Sequence, residues 1–216
     1  MMRSPEMFVR RAGLAALMGA ALLGVAGCGK VARTGQSPAF LIIDSIEGAS
    51  GADPNNFGTV VASDVVTLVQ VSGQAQRVPT IFADPGRVQF RLALRNPGSP
   101  ASPTSPSTLN EITITRYRVQ YRRSDGRNVQ GVDVPYGFDG AFTATVPAGG
   151  SLSAGFDLVR IQAKLEPPLS NLVNFGGQNV ISTIAEVTFF GRDQVGNEVS
   201  VTGSISVNFS DFGDPS

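Results

Sequence analysis

The chain has no histidine, no tryptophan and one cysteine, Cys28. Without histidine there is no Ser-His-Asp triad, no Cys-His dyad and no imidazole metal site. One cysteine excludes an internal disulfide and a thiolate cage for zinc or an iron–sulfur cluster. Charge is sparse and balanced, with 17 basic and 17 acidic residues among 216. A neutral chain lacks the electrostatic footprint of a nucleic-acid binder, so no nucleic acid is expected as a partner. No serine sits in a Gly-x-Ser-x-Gly elbow or a Ser-x-x-Lys motif. The glycine-rich turns carry no phosphate-binding fingerprint. No cofactor and no enzymatic activity are expected.

What is present begins with an address. Arg3, Arg10 and Arg11 form a positive region, and residues 12–26 are small and apolar. That is the layout of a secretory signal peptide over residues 1–27. The apolar run falls short of the roughly 20 residues that span a bilayer, and no later segment is longer. The stretch ends in Val25, Ala26, Gly27 and Cys28. These four residues resemble the lipobox of bacterial lipoproteins. The resemblance implies cleavage before Cys28, diacylglycerol on its sulfur and a further acyl chain on the new amino terminus. Two or more chains anchor stably where one is marginal, at about 0.8 kcal/mol per buried methylene. Gly29, rather than Asp, follows the cysteine, which by the family's sorting rule points to the outer membrane. A chain exported to an oxidising compartment also does well without other thiols.

Removing residues 1–27 takes away three arginines and Glu6, and leaves 14 basic and 16 acidic residues. Residues 28–38 read as a short polar tether. Residues 39–210 read as the folded domain, with a tail at 211–216. Residues 40–43 form a first apolar strand and 49–57 a loop. Residues 64–71 are β-branched and strand-like. Val88, Phe90, Leu92 and Leu94 alternate with Gln89, Arg91, Ala93 and Arg95, the period-2 signature of a half-buried strand. Residues 97–109 carry four prolines and read as an exposed Pro/Ser-rich loop that cannot continue a ladder. In 111–123, Ile112 and Ile114 share one parity, and Tyr117, Val119 and Tyr121 the other. Thr115 and Arg116 therefore mark a bulge or a switch of sheet. Phe142, Ala144 and Val146 alternate, as do Phe156 and Leu158. Residues 160–174 are the one stretch suited to a helical turn. Residues 180–190 read as a buried strand. Val199, Val201, Ile205, Val207 and Phe209 give the cleanest alternation. About nine strands joined by turns predict an all-β fold, an immunoglobulin-like β-sandwich.

Residues 117–126, with Tyr117, Tyr121, Asp125 and Gly126, resemble the third strand and turn of fibronectin type III domains. Residues 190–199 resemble the closing hairpin of bacterial immunoglobulin-like domains. The order of Arg95-Asn96-Pro97, a tyrosine strand, Asp125-Gly126, residues 146–149 and a last hairpin is similar to the water-stress and late-embryogenesis β-sandwich domain. All three resemblances imply a sandwich, and none carries catalytic residues over.

Three residue groups invite a functional reading. Arg116, Arg118, Arg122, Arg123 and Arg127 are the densest basic cluster. Beside Tyr117 and Tyr121 they suit an anionic sugar, a lipid headgroup or nucleic acid. The competing reading is a solvated strand face whose charge blocks a sheet edge. On that reading the arginines face water and the tyrosines the core. Asp193, Asn197, Asp211 and Asp214 offer oxygens to calcium, but too few and too scattered for its six to eight ligands. Asp125, Asp133 and Asp139 flank one hairpin, and paired carboxylates can hydrolyse glycosides.

The reading is a non-catalytic, lipid-anchored envelope protein. The acyl chains on Cys28 would hold it to the membrane. Sandwich loops, or an edge strand at 200–208, would bind or scaffold an envelope protein or a glycan. The alternatives are a polysaccharide-active enzyme or its accessory domain, and a stress-protection sandwich.

Overall fold

Period-2 alternation leaves each strand with one apolar face, and two such faces must cover each other. The computed structural model describes residues 36–175 and 177–212. Predicted features at residues 1–35, Cys28 among them, and at Asp214 lie outside the described residues. In chain order the strands are β1 (Ala39–Gly48), β2 (Val60–Asp64), β3 (Thr67–Val69), β4 (Val78–Thr80), β5 (Asp84–Leu94), β6 (Gly98–Ser99), β7 (Ser102–Pro103), β8 (Ile112–Arg122), β9 (Phe138–Val146), β10 (Ser151–Val159), β11 (Ile181–Asp193) and β12 (Glu198–Ser210). One short helix, α1 (Ile161–Leu165), follows β10.

One sheet has the order β1-β5-β10 and the other β2-β12-β11-β8-β9. Neighbours run antiparallel except β2, which lies parallel to the last five residues of β12. The two sheets pack face to face through aromatic rings. Phe90 of β5 meets Phe189 of β11 edge-on, with centroids 4.9 Å apart. Phe156 of β10 meets Tyr117 of β8 at 5.4 Å. Such edge-to-face pairs add about 0.5–1.5 kcal/mol each beyond their burial. The result is a two-layer, sandwich-like all-β structure.

Two glycines make room for this core. Gly140 lies opposite Tyr117 and Gly86 opposite Phe156 in the strand registers. A Cβ on either glycine would come within 2.4 Å of the facing ring. Each ring lies over the bare backbone of its cross-strand neighbour.

The parity change in β8 is a bulge and not a switch of sheet. Against β11 the register slips between Arg116 and Ile114, leaving Thr115 unopposed. The extra residue turns Tyr117, Val119 and Tyr121 inward to join Ile112 and Ile114 in the core.

Several boundaries differ from the sequence reading. Residues 64–71 are not one strand: Asp64 ends β2, and β3 pairs separately with β4. Residues 180–190 are buried on one face only, and Ile184 is exposed on the other. The Pro/Ser-rich segment is exposed throughout, yet Gly98–Ser99 and Ser102–Pro103 pair as a miniature hairpin. Ser37 and Pro38, assigned to the tether, are held to the sheet: their carbonyls accept from the Arg95 Nε and backbone N–H at 3.1 and 2.9 Å. The helical turn expected in 160–174 is α1, followed by a 3-10 turn at Leu169–Leu172. Glu166 is extended because Pro167 follows it, and that stops the helix. Among the described residues no helix is long and apolar enough to cross a membrane.

Candidate functional site

The five arginines do not form one basic patch. They fall into three ion-paired groups along the outer face of the five-stranded sheet and the turn after β8. Arg118 grips Asp139 through Nε and Nη2, at 3.0 and 2.9 Å, and Arg116 reaches the same carboxylate at 3.3 Å. Arg122 pairs with Glu186 at 2.7 Å. Arg123 and Arg127 share Asp125, at 2.7 and 3.0 Å. The arginines hold the carboxyls of Asp139 and Asp125 below the usual carboxylate range, with Arg118 the main cause at Asp139 and Arg123 at Asp125. An anionic ligand here would have to displace a carboxylate. The edge-blocking reading also needs correction, because β8 lies between β11 and β9 and is not an edge. Tyr117 and Tyr121 are buried, as their parity predicts. The Tyr121 hydroxyl donates to the Leu158 carbonyl at 2.7 Å, and the Tyr117 hydroxyl accepts from the Asp157 N–H at 3.2 Å.

Beside this row an open groove of about 330 Å³ is lined by Thr115, Arg116, Phe190, Arg192, Glu198 and Ser200. The Arg116 guanidinium stacks over Phe190, 3.7 Å from its centroid, and Arg192 pairs with Glu198 at 3.1 Å. The groove's cations are thus engaged as well.

The three carboxylates weighed for hydrolysis are engaged separately. Asp125 and Asp139 bind arginines, and Asp133 accepts from the Val129 N–H at 3.1 Å. Asp193 and Asn197 do meet, in the turn between β11 and β12. Burial of Asp193 acts to raise its pKa, but donors from Asn197 and Val195 outweigh it and hold the carboxyl low. Asp211 is spent on the Asn174 N–H. Among the described residues no group of three or more metal-ligating side chains comes together.

The sequence reading missed a polar cluster in the core. Lys164 of α1 is 1% exposed and Asp84, at the start of β5, is 0% exposed. Lys164 Nζ lies 2.7 Å from Asp84 Oδ1 and 2.7 Å from the carbonyl oxygen of Asp64. The Gly51 N–H donates to Asp84 Oδ1 at 2.7 Å, and the Ser63 hydroxyl donates to Oδ2. The Asp64 carboxylate accepts from the Thr67 hydroxyl at 2.8 Å and the Phe212 N–H at 3.0 Å. Burial pushes the Asp84 carboxyl up, against the opposing pull of Lys164, Ser63 and Gly51. One signal in the sequence pointed here: Lys164 is the only lysine after Lys30, and it sits in the one helical stretch. No protein-family model, no curated protein and no solved structure matches this chain.

Proposed function

We propose that the protein is a non-catalytic, lipid-anchored component of the bacterial envelope, displaying an immunoglobulin-like sandwich that binds a protein partner by strand addition. Acyl chains on Cys28 hold it to the membrane, with the outer membrane favoured by Gly29. The sandwich class is supported by strand order. The first strand pairs with β5 in one sheet, while β2 crosses to run parallel to the last strand of the other. The two segments with family resemblance fall on β8 with its turn and on the β11–β12 hairpin.

One observation carries the binding mode. β2 covers β12 only along residues 206–210, so among the described residues no strand pairs with the outer edge of 198–205. The exposed side chains there, apart from Glu198, are Ser200, Thr202 and Ser204. β1 of the other sheet passes beneath, with Ile43 and Ile46 near Gly203. An extended segment adding to this edge would gain ladder hydrogen bonds without meeting a row of charges.

Two measurements test the proposal. Fractionation with metabolic palmitate labelling should find the wild-type chain labelled and in the membrane, and Cys28→Ala unlabelled and released. Equal behaviour of the two would overturn the anchor. Envelope cross-linking should capture a partner, and Thr202→Lys should lose it while Arg118→Ala keeps it. Capture that ignores Thr202→Lys but fails with Arg118→Ala would move the site to the arginine face.

A further inference from the structure

We propose that Lys164 and Asp84 are joined by an intramolecular isopeptide bond that ties α1 to the first residue of β5. Nζ stands 2.7 Å from Oδ1, which is one covalent bond from the carbon it would attack. Holding two reactants this close within a rigid fold replaces an encounter in solution, and effective molarities of such pairs reach about 10⁵–10⁸ M. Both side chains are sealed from solvent, at 1% and 0% exposure.

The surroundings suit acyl transfer more closely than a plain ion pair requires. Burial favours the neutral acid at Asp84 over a bare charge in a dry core. The upward push on Asp84 agrees with this. The Gly51 N–H points at Oδ1, where negative charge would develop as Nζ adds to the carboxyl carbon. Ser63 touches the other oxygen, Oδ2, and its hydroxyl can both give and take a proton. The carbonyl oxygen of Asp64 accepts an N–H of Nζ and fixes the amine in place.

The step needs no outside reagent. The Nζ lone pair adds to Cγ of the neutral acid and forms the new N–C bond, with the oxyanion on Oδ1. A proton from Nζ passes to Oδ2, which already carries the acid proton. The Cγ–Oδ2 bond then breaks and water leaves. The carbonyl re-forms on Oδ1, and a secondary amide with one N–H remains. Nothing is oxidised or reduced. Inside the core the amide N–H keeps the Asp64 carbonyl as its acceptor, and Oδ1 keeps the Gly51 donor.

Peptide mapping of the purified full chain tests this without any variant. Trypsin cleaves after Arg77, Arg87, Arg160 and Arg192, and after Lys164 only while its amine is free. The expected result is a branched species, 78–87 joined to 161–192 with Lys164 uncleaved, lighter than the sum of the two peptides by one water. Fragmentation should place the link on Asp84 and Lys164. The branched species should vanish in Lys164→Arg. Recovery of free 78–87 together with cleavage after Lys164, at the stoichiometry of the other peptides, would overturn the proposal and leave a buried ion pair.

Discussion

The molecule makes the same contact, a basic side chain against a carboxylate, in two opposite settings. On the outer face of the five-stranded sheet Arg118 and Asp139 meet in solvent, each about half exposed. In the core Lys164 and Asp84 meet sealed from bulk solvent. The distances are nearly equal, 2.9 and 2.7 Å, so geometry does not separate them. Environment does. In water an ion pair replaces good hydration with a screened attraction worth about 0–1 kcal/mol. In the core the hydration is lost, and each partner depends on the other and on the few polar groups that reach the pair, from Asp64, Gly51 and Ser63. The surface arginines are therefore replaceable, whereas Lys164 tolerates no loss of Asp84.

The widest separation between the two settings is expected from single truncations. Asp84→Ala leaves the Lys164 amine buried without its carboxyl, and should cost about 3–5 kcal/mol in urea-denaturation stability. Arg118→Ala should cost less than about 1 kcal/mol in the same assay. Similar losses for the two would break the comparison. A double variant, Asp84→Ala with Lys164→Met, sharpens it. With no buried charge left unmatched, it should be more stable than Asp84→Ala alone.

A smaller effect is expected one layer away from the pair. Tyr121→Phe removes the hydroxyl that donates to the Leu158 carbonyl and should cost about 0.5–1.5 kcal/mol by thermal denaturation. Adding bulk at the matched glycine is a further probe of the core. In Gly140→Ala the new methyl group would meet the Tyr117 ring, and about 1–3 kcal/mol should be lost to overpacking.

The smallest effects belong to the outer face and are best read through acid and salt. The folded pKa values of Asp139 and Asp125 lie below their unfolded values. Between those values the unfolded chain binds more protons, so this share of stability is present above about pH 4 and fades as the pH falls below it. Asp139→Asn should flatten that acid limb, and added salt should shrink the difference. A limb that Asp139→Asn leaves unchanged would assign acid sensitivity elsewhere. Asp84 has the opposite sign as a free acid. Its raised pKa makes its share of stability largest at low pH, and that share is lost as pH rises through the folded value. An isopeptide bond would erase this titration altogether.

Much of the fold was legible because alternation is a local property. Val88 and Phe90 in β5, Phe142 and Val146 in β9, and Ile205, Val207 and Phe209 in β12 are buried as their spacing predicts. The bulge at Thr115 was legible for the same reason, since one extra residue reverses the parity of everything after it. Residues 180–190 were misread because an unbroken β-branched and aromatic run hides which of its residues face solvent. In β11 only the pairing with β8 and β12 turns Ile184 and Phe190 outward.

The candidate sites divide along the same line. The sequence by itself determined the Val25-Ala26-Gly27-Cys28 run that resembles a lipobox, the absence of histidine chemistry, the strand periods and the inward facing of Tyr117 and Tyr121. All of these depend on residues near one another in the chain. The tertiary structure alone decided that the arginines are matched by Asp139, Glu186 and Asp125. It alone left part of β12 without a pairing strand among the described residues, and it alone brought together Ser63, Asp84 and Lys164 from β2, β5 and α1. Asp84 and Lys164 are 80 residues apart in the chain. No local pattern encodes their meeting, because it is set by which sheet each strand joins and by where the chain crosses between them.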